Sequence, residues 1–105
     1  MTSPGLSAGS AAQALFDRSG TEDATLERHP ERSVVRVPAL RPNGGAFVFN
    51  FSDGRDGVAV AIGYQRPDME ATLGHADIKS IEDVDSLIVV ANERLTVQIR
   101  SGAFG

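Results

Sequence analysis

The loop at residues 52–57, with the sequence SDGRDG, holds the residues that most resemble a metal site. Its two carboxylates, Asp53 and Asp56, are three residues apart. Carboxylate oxygens gathered in a tight turn are the ligands that Ca²⁺ prefers. The loop lacks the further carboxylates and the distal Glu of a calcium loop, and Asp and Gly are ordinary residues of hairpin turns. We therefore interpret it as a turn and expect no bound metal.

The chain's two histidines are the remaining candidates for acid–base or metal chemistry. His29 precedes a proline in a charged segment, and His75 is followed two residues later by Asp77, which could orient its ring. Zinc needs three or four ligands, and two distant histidines do not supply them. The sequence contains no P-loop and no glycine-rich dinucleotide motif. We expect a protein that is not an enzyme and has no cofactor; a small enzyme or ligand-binding barrel using His75, Asp77 and Glu70 is an alternative.

Two alternating segments flank the SDGRDG loop, and together with it they span residues 46–64. Period-two alternation places every second side chain on one face of a strand, so this segment predicts an antiparallel hairpin with one apolar face. The apolar positions are Phe47, Phe49 and Phe51 before the loop and Val58, Val60, Ile62 and Tyr64 after it.

Further strands are predicted on both sides of this hairpin. Residues 33–37 and 95–100 alternate, and residues 87–91 form an apolar, β-branched run that favours a buried strand. Residues 69–85 suit either extended structure or a short helix, because a capping pattern begins at Ser80. About five strands in a chain of this size predict a mainly β fold. We expect a small antiparallel sandwich or partly open barrel with a short N-terminal helix and arm.

The first third of the chain differs in composition from the rest. Residues 1–33 are rich in small and charged residues, and Ser10 is placed to cap a short helix at 11–17. A helix this short needs a surface to dock on. We therefore divide the chain into an N-terminal arm at 1–33 and a β domain at 34–105. The surface that holds the arm belongs either to its own domain or to a neighbouring chain.

The second strand of the hairpin has small side chains on its minor face. These are Ala59, Ala61 and Gly63, and they would allow another layer to approach closely. One interpretation is a contact within the chain, with the N-terminal helix or a second sheet. The other is a subunit contact, to which Leu15 and Phe16 of the arm would contribute.

Composition limits the classes of partner. The 105-residue chain has a formal net charge of −4, which argues against a nucleic-acid partner because phosphate binding requires clustered cations. It has no cysteine, so disulfides and thiolate metal sites are excluded. There is no signal-peptide pattern and no apolar run long enough to span a membrane. We expect no membrane partner and a location in the cytoplasm or in a virion.

The hairpin resembles the corresponding region of the lambda-type head decoration proteins of tailed phages. The resemblance is confined to about a dozen residues, in which two Asp-Gly pairs precede a strand of small and branched residues. It implies a β-rich, capsid-binding trimer whose flexible arm docks on neighbouring shell subunits. The matching residues are Asp53, Gly54, Asp56, Gly57, Ala59, Val60 and Ile62.

The favoured function is therefore that of a non-enzymatic structural or assembly protein. Such a subunit would bind other protein chains through its arm and sheet face, as a homo-oligomer or in a larger assembly such as a virion. The alternative is a small acidic binding module, an immunity protein or regulator, that covers a basic partner. Its net charge of −4 would steer it to that surface.

Overall fold

Five strands and two helices make up the part of the chain that the structure, a computed structural model, describes. The described residues are 7–19, 23–38, 45–54, 57–67 and 69–102. The elements in chain order are α1 (Ala8–Arg18), β1 (Thr25–Arg28), β2 (Arg32–Pro38), β3 (Ala46–Asp53), β4 (Val58–Arg66), β5 (Met69–Ile78) and α2 (Ile81–Arg100).

The five strands form one antiparallel sheet in which each strand pairs with the next along the chain. The sheet is not closed, and β1 and β5 are its edges. The predicted hairpin at 46–64 is confirmed as β3 and β4, with Phe49 opposite Ile62. The predicted mainly β, antiparallel class with a short N-terminal helix is therefore confirmed.

Both helices pack on the same face of the sheet. That face carries the apolar positions predicted for the hairpin, and Phe47 lies 6.2 Å from Phe49 and 6.1 Å from Tyr64 between ring centroids. The inward side chains of β2 to β5 join helical residues in one hydrophobic core. The helical members of this core are Ala8, Ala11, Ala12, Leu15, Val84, Leu87, Ala91 and Leu95.

Helix α1 confirms the predicted N-terminal helix but starts three residues earlier than position 11. Its N-cap is Ser7, whose hydroxyl accepts the N–H of Ser10 at 3.1 Å, instead of Ser10 itself. The alanines of α1 present a flat surface to the sheet, which lets the helix approach closely.

The division into an arm at 1–33 and a domain at 34–105 is corrected by this packing. Helix α1 shares the core with the sheet, β1 pairs with β2, and the boundary at 33/34 falls inside β2.

Helix α2 replaces the strands predicted at 87–91 and 95–100, and that prediction is wrong. The β-branched run favours a strand locally, but a short apolar run also fits the buried side of a helix, and packing against α1 and β5 selects the helix. The capping pattern at Ser80 is its start: the Asp83 carboxylate accepts the N–H groups of Lys79 at 2.9 Å and Ser80 at 3.2 Å. Neither α1 nor α2 is long and apolar enough to cross a membrane.

Candidate functional site: the open face of the sheet

One face of the sheet is left uncovered by the helices, and no other described element packs on it. We call this surface the open face. Its side chains alternate with the core side chains along each strand, and the register aligns them in four rows that cross from β2 to β5. The rows are Arg32–Ser52–Ala59–Asp77, Val34–Asn50–Ala61–His75, Arg36–Val48–Gly63–Thr72 and Pro38–Ala46–Gln65–Glu70.

The central residues of the open face are uncharged, and three of those on β4 have small side chains or none. Ala59, Ala61 and Gly63 lie there, half-buried between the neighbouring strands. Helix α1 packs on the opposite face, so an intramolecular contact between these residues and the N-terminal helix is excluded. The described residues also form no second sheet over this face, and no described element covers the three residues.

Charged side chains of opposite sign flank this neutral centre. Arg32 and Arg36 are exposed on β2, and Glu70 and Asp77 are exposed on β5. Adjacent strands lie about 4.8 Å apart, so the two charged columns are about 14 Å apart and do not pair within one chain. The open face therefore has a basic column on β2 and an acidic column on β5. At its other edge, β1 adds Thr25 and the exposed Glu27, which lies opposite Val34.

The other two predicted interface residues lie in the opposite layer of the molecule. Leu15 is 1% exposed and belongs to the core, so it is not available to a partner and its assignment to an interface is corrected. It is buried because α1 turns its apolar side towards its own sheet. Phe16 is half-buried against the same core.

The residues considered for catalysis do not converge in an enclosed cleft. His75 and Asp77 are exposed two positions apart on the open face, and Glu70 lies towards the other end of β5. His29 is exposed near β1, with its Nε2 atom 3.7 Å from Glu27 Oε2. Among the described residues, no group of three His, Cys, Asp or Glu side chains is placed to hold a metal ion.

The expectation of a non-enzymatic protein included the absence of the G-x-S-x-G pattern of serine nucleophiles, and that part of it is wrong, because residues 5–9 have the sequence GLSAG. The structure describes Ser7 as the N-cap of α1. Its hydroxyl donates to Ser10 Oγ at 3.1 Å and accepts the Ser10 N–H, so its hydrogen-bonding groups serve the helix cap.

The SDGRDG loop is hydrogen-bonded to the N-terminal helix. Asp53 Oδ1 accepts the backbone N–H of Ala8 at 2.8 Å, although the two residues are 45 positions apart. Gly54 N–H donates to Gly57 C=O at 2.8 Å and closes the turn. Asp56, the second residue considered as a calcium ligand, lies outside the described residues. One carboxylate of the proposed pair is therefore engaged in holding α1 to the hairpin.

Sequence reasoning found the small column of the open face but missed the charged columns. Alternation along β2 and β5 indicates which residues share a face, but only the register places a β2 arginine in the same row as a β5 carboxylate. Comparison with protein-family models, with curated proteins and with solved structures gives no match for this chain.

Proposed function

We propose that this protein is a non-enzymatic assembly subunit that binds another protein chain through the open face of its sheet. The observation that carries the proposal is the arrangement of that face: a neutral centre between a basic and an acidic column, with no described element covering it. Sheets that stack face to face lie about 10 Å apart, with the side chains of the two layers interdigitating. The small side chains at Ala59, Ala61 and Gly63 leave space for the side chains of such a second layer.

The proposal differs from the expectation of an arm that reaches to a neighbour. Helix α1 contributes Leu15 to its own core, and its first N–H groups are bound by Ser7 and Asp53. Its apolar side is therefore already occupied. Within the described part of the chain, the open face offers both space and a charge pattern for a second chain.

A place in a virion shell is the finer form of this proposal. It is supported by the resemblance of the hairpin to head decoration proteins. In this chain, Asp53, Gly54 and Gly57 lie at the turn that precedes the small-residue strand β4. The docking arm of that family does not carry over to α1, since α1 packs on its own sheet.

Site-specific photocrosslinking tests the proposal. A benzophenone amino acid is placed at Thr72, which is exposed on the open face, and at Glu93, which is exposed on α2 in the other layer. We expect a protein adduct from position 72 and none from position 93, in the cells that naturally make the protein. Adding Ala61→Arg should remove the adduct, while the thermal unfolding midpoint reports that the variant is folded.

Two results would contradict the proposal. One is the absence of any protein adduct at position 72. The other is equal adduct formation at positions 72 and 93, because this would show that the crosslinks reflect random collisions instead of a defined binding face.

A further inference from the structure

We infer that the occupant of the open face is a second copy of this chain, bound across a two-fold axis that runs parallel to the strands. This inference rests on the proposed function and adds the identity of the partner and its orientation. Two independent features of the open face support it: the positions of its charges, and the sizes of its central side chains.

The charge pattern is complementary to itself in this orientation. Consider a two-fold axis that lies between the two faces and runs parallel to the strands. It places β2 of one copy over β5 of the other, and each row lies over the same row of the second copy. Arg32 and Asp77 occupy the two ends of one row. Arg32 of each copy therefore faces Asp77 of the other, which gives two equivalent opposite-charge contacts, as a two-fold interface requires.

A second two-fold arrangement also keeps the strands of the two copies aligned, but it places like charges face to face. An axis perpendicular to the strands places β2 over β2 and β5 over β5, with the rows in reverse order. Asp77 then faces Glu70 of the second copy at both ends of the interface, and Arg32 faces Pro38 instead of a carboxylate. Like charges brought together oppose association. The charges therefore favour the axis parallel to the strands.

The sizes of the central side chains favour the same axis. With the axis parallel to the strands, β3 of one copy lies over β4 of the other, so Val48 faces Gly63 and Asn50 faces Ala61. Each larger side chain meets a smaller one, which allows the layers to interdigitate. The perpendicular axis instead places the small β4 column over itself and leaves a gap.

The dimensions of the open face indicate a reversible dimer. Four strands and four rows cover about 20 Å by about 23 Å, or roughly 450 Å² per copy and roughly 900 Å² for the pair. Interfaces below about 1,200 Å² are typical of weak or transient complexes. We therefore expect a micromolar dissociation constant (Kd), with monomer and dimer both present at accessible protein concentrations.

Charge reversal tests the inference by sedimentation velocity over about 10 μM to about 1 mM protein, a range that brackets affinities of weak interfaces. Arg32→Glu alone should weaken the homodimer at least about tenfold, because both contacts become repulsive. Asp77→Arg alone should do the same. An equimolar mixture of the two variants should form a heterodimer of near wild-type affinity, since each of its two contacts again joins opposite charges.

Matched controls carry the same charge changes on the other side of the molecule. Arg94→Glu and Glu93→Arg lie exposed on α2 and should leave the dissociation constant unchanged. Rescue in the mixture also shows that both open-face variants are folded. The inference is overturned if the wild-type chain is monomeric throughout, if the single reversals act no more strongly than the controls, or if mixing does not restore the dimer.

The identity of the protein crosslinked at position 72 distinguishes failure of this inference from failure of the proposed function. An adduct consisting of two copies of the chain supports both. An adduct with a different protein, together with a monomeric wild-type chain, overturns the homodimer and leaves the proposed function standing. Absence of any protein adduct overturns both.

Discussion

Replacing Asp53 by alanine should destabilise the protein by releasing the N-terminus of α1 from the hairpin. The Asp53 carboxylate accepts the Ala8 N–H at 2.8 Å, and the first turn of α1 contains no acidic residue of its own. A hydrogen bond to a charged group contributes about 1.5 kcal/mol at the lower end of its range, which suits an exposed carboxylate. A negative charge at a helix N-terminus adds about 0.5 kcal/mol.

The expected loss is therefore about 2 kcal/mol in the free energy of unfolding. Urea denaturation measures it as a lower midpoint with an unchanged slope. Asp53→Asn keeps an acceptor oxygen and loses the charge, so it should cost less than Asp53→Ala. In amide hydrogen exchange, the Ala8 N–H should lose protection in Asp53→Ala.

The matched control is Glu93→Ala on the exposed side of α2, which removes the same charge and should change stability by less than about 0.5 kcal/mol. If Asp53→Ala falls within that range, or if the Ala8 amide keeps its protection, the proposed link between the loop and the helix is refuted.

Three further substitutions test the packing of the helices. Leu15→Ala should lower the free energy of unfolding by about 2–4 kcal/mol, because a core side chain is removed; an unfolding midpoint near that of the wild type would show that α1 is not part of the core. Leu87→Ala should cost a similar amount, whereas Val89→Ala, at a position 55% exposed, should cost less than about 1 kcal/mol. Equal losses at 87 and 89 would instead indicate a strand, since positions two apart share one face of a strand.

Much of the sheet could be predicted from local patterns. The alternation from Phe47 to Tyr64 predicts the central hairpin because side-chain direction in a strand has a period of two. The capping residues of the helices are also local signals, and Asp83 serves α2 as the pattern at Ser80 suggested. These features depend only on residues close together in the chain.

The C-terminal helix could not be predicted in the same way. The run at 87–91 is apolar and β-branched, and its local preference favours a strand. Its burial is decided by contacts with α1 and β5, which lie elsewhere in the sequence, and those contacts outweigh a preference of a few tenths of a kcal/mol per residue.

The open face shows most clearly the difference between what local sequence patterns predict and what contacts between distant segments decide. Alternation along β4 is enough to show that Ala59, Ala61 and Gly63 share a face, because neighbouring residues of a strand point in opposite directions. That the helices cover the opposite face, and that Arg32 shares a row with Asp77, depends on how the elements pack together. Burial and strand register are set by contacts among distant segments. The arrangement of basic and acidic columns on this face therefore exists only in the assembled sheet.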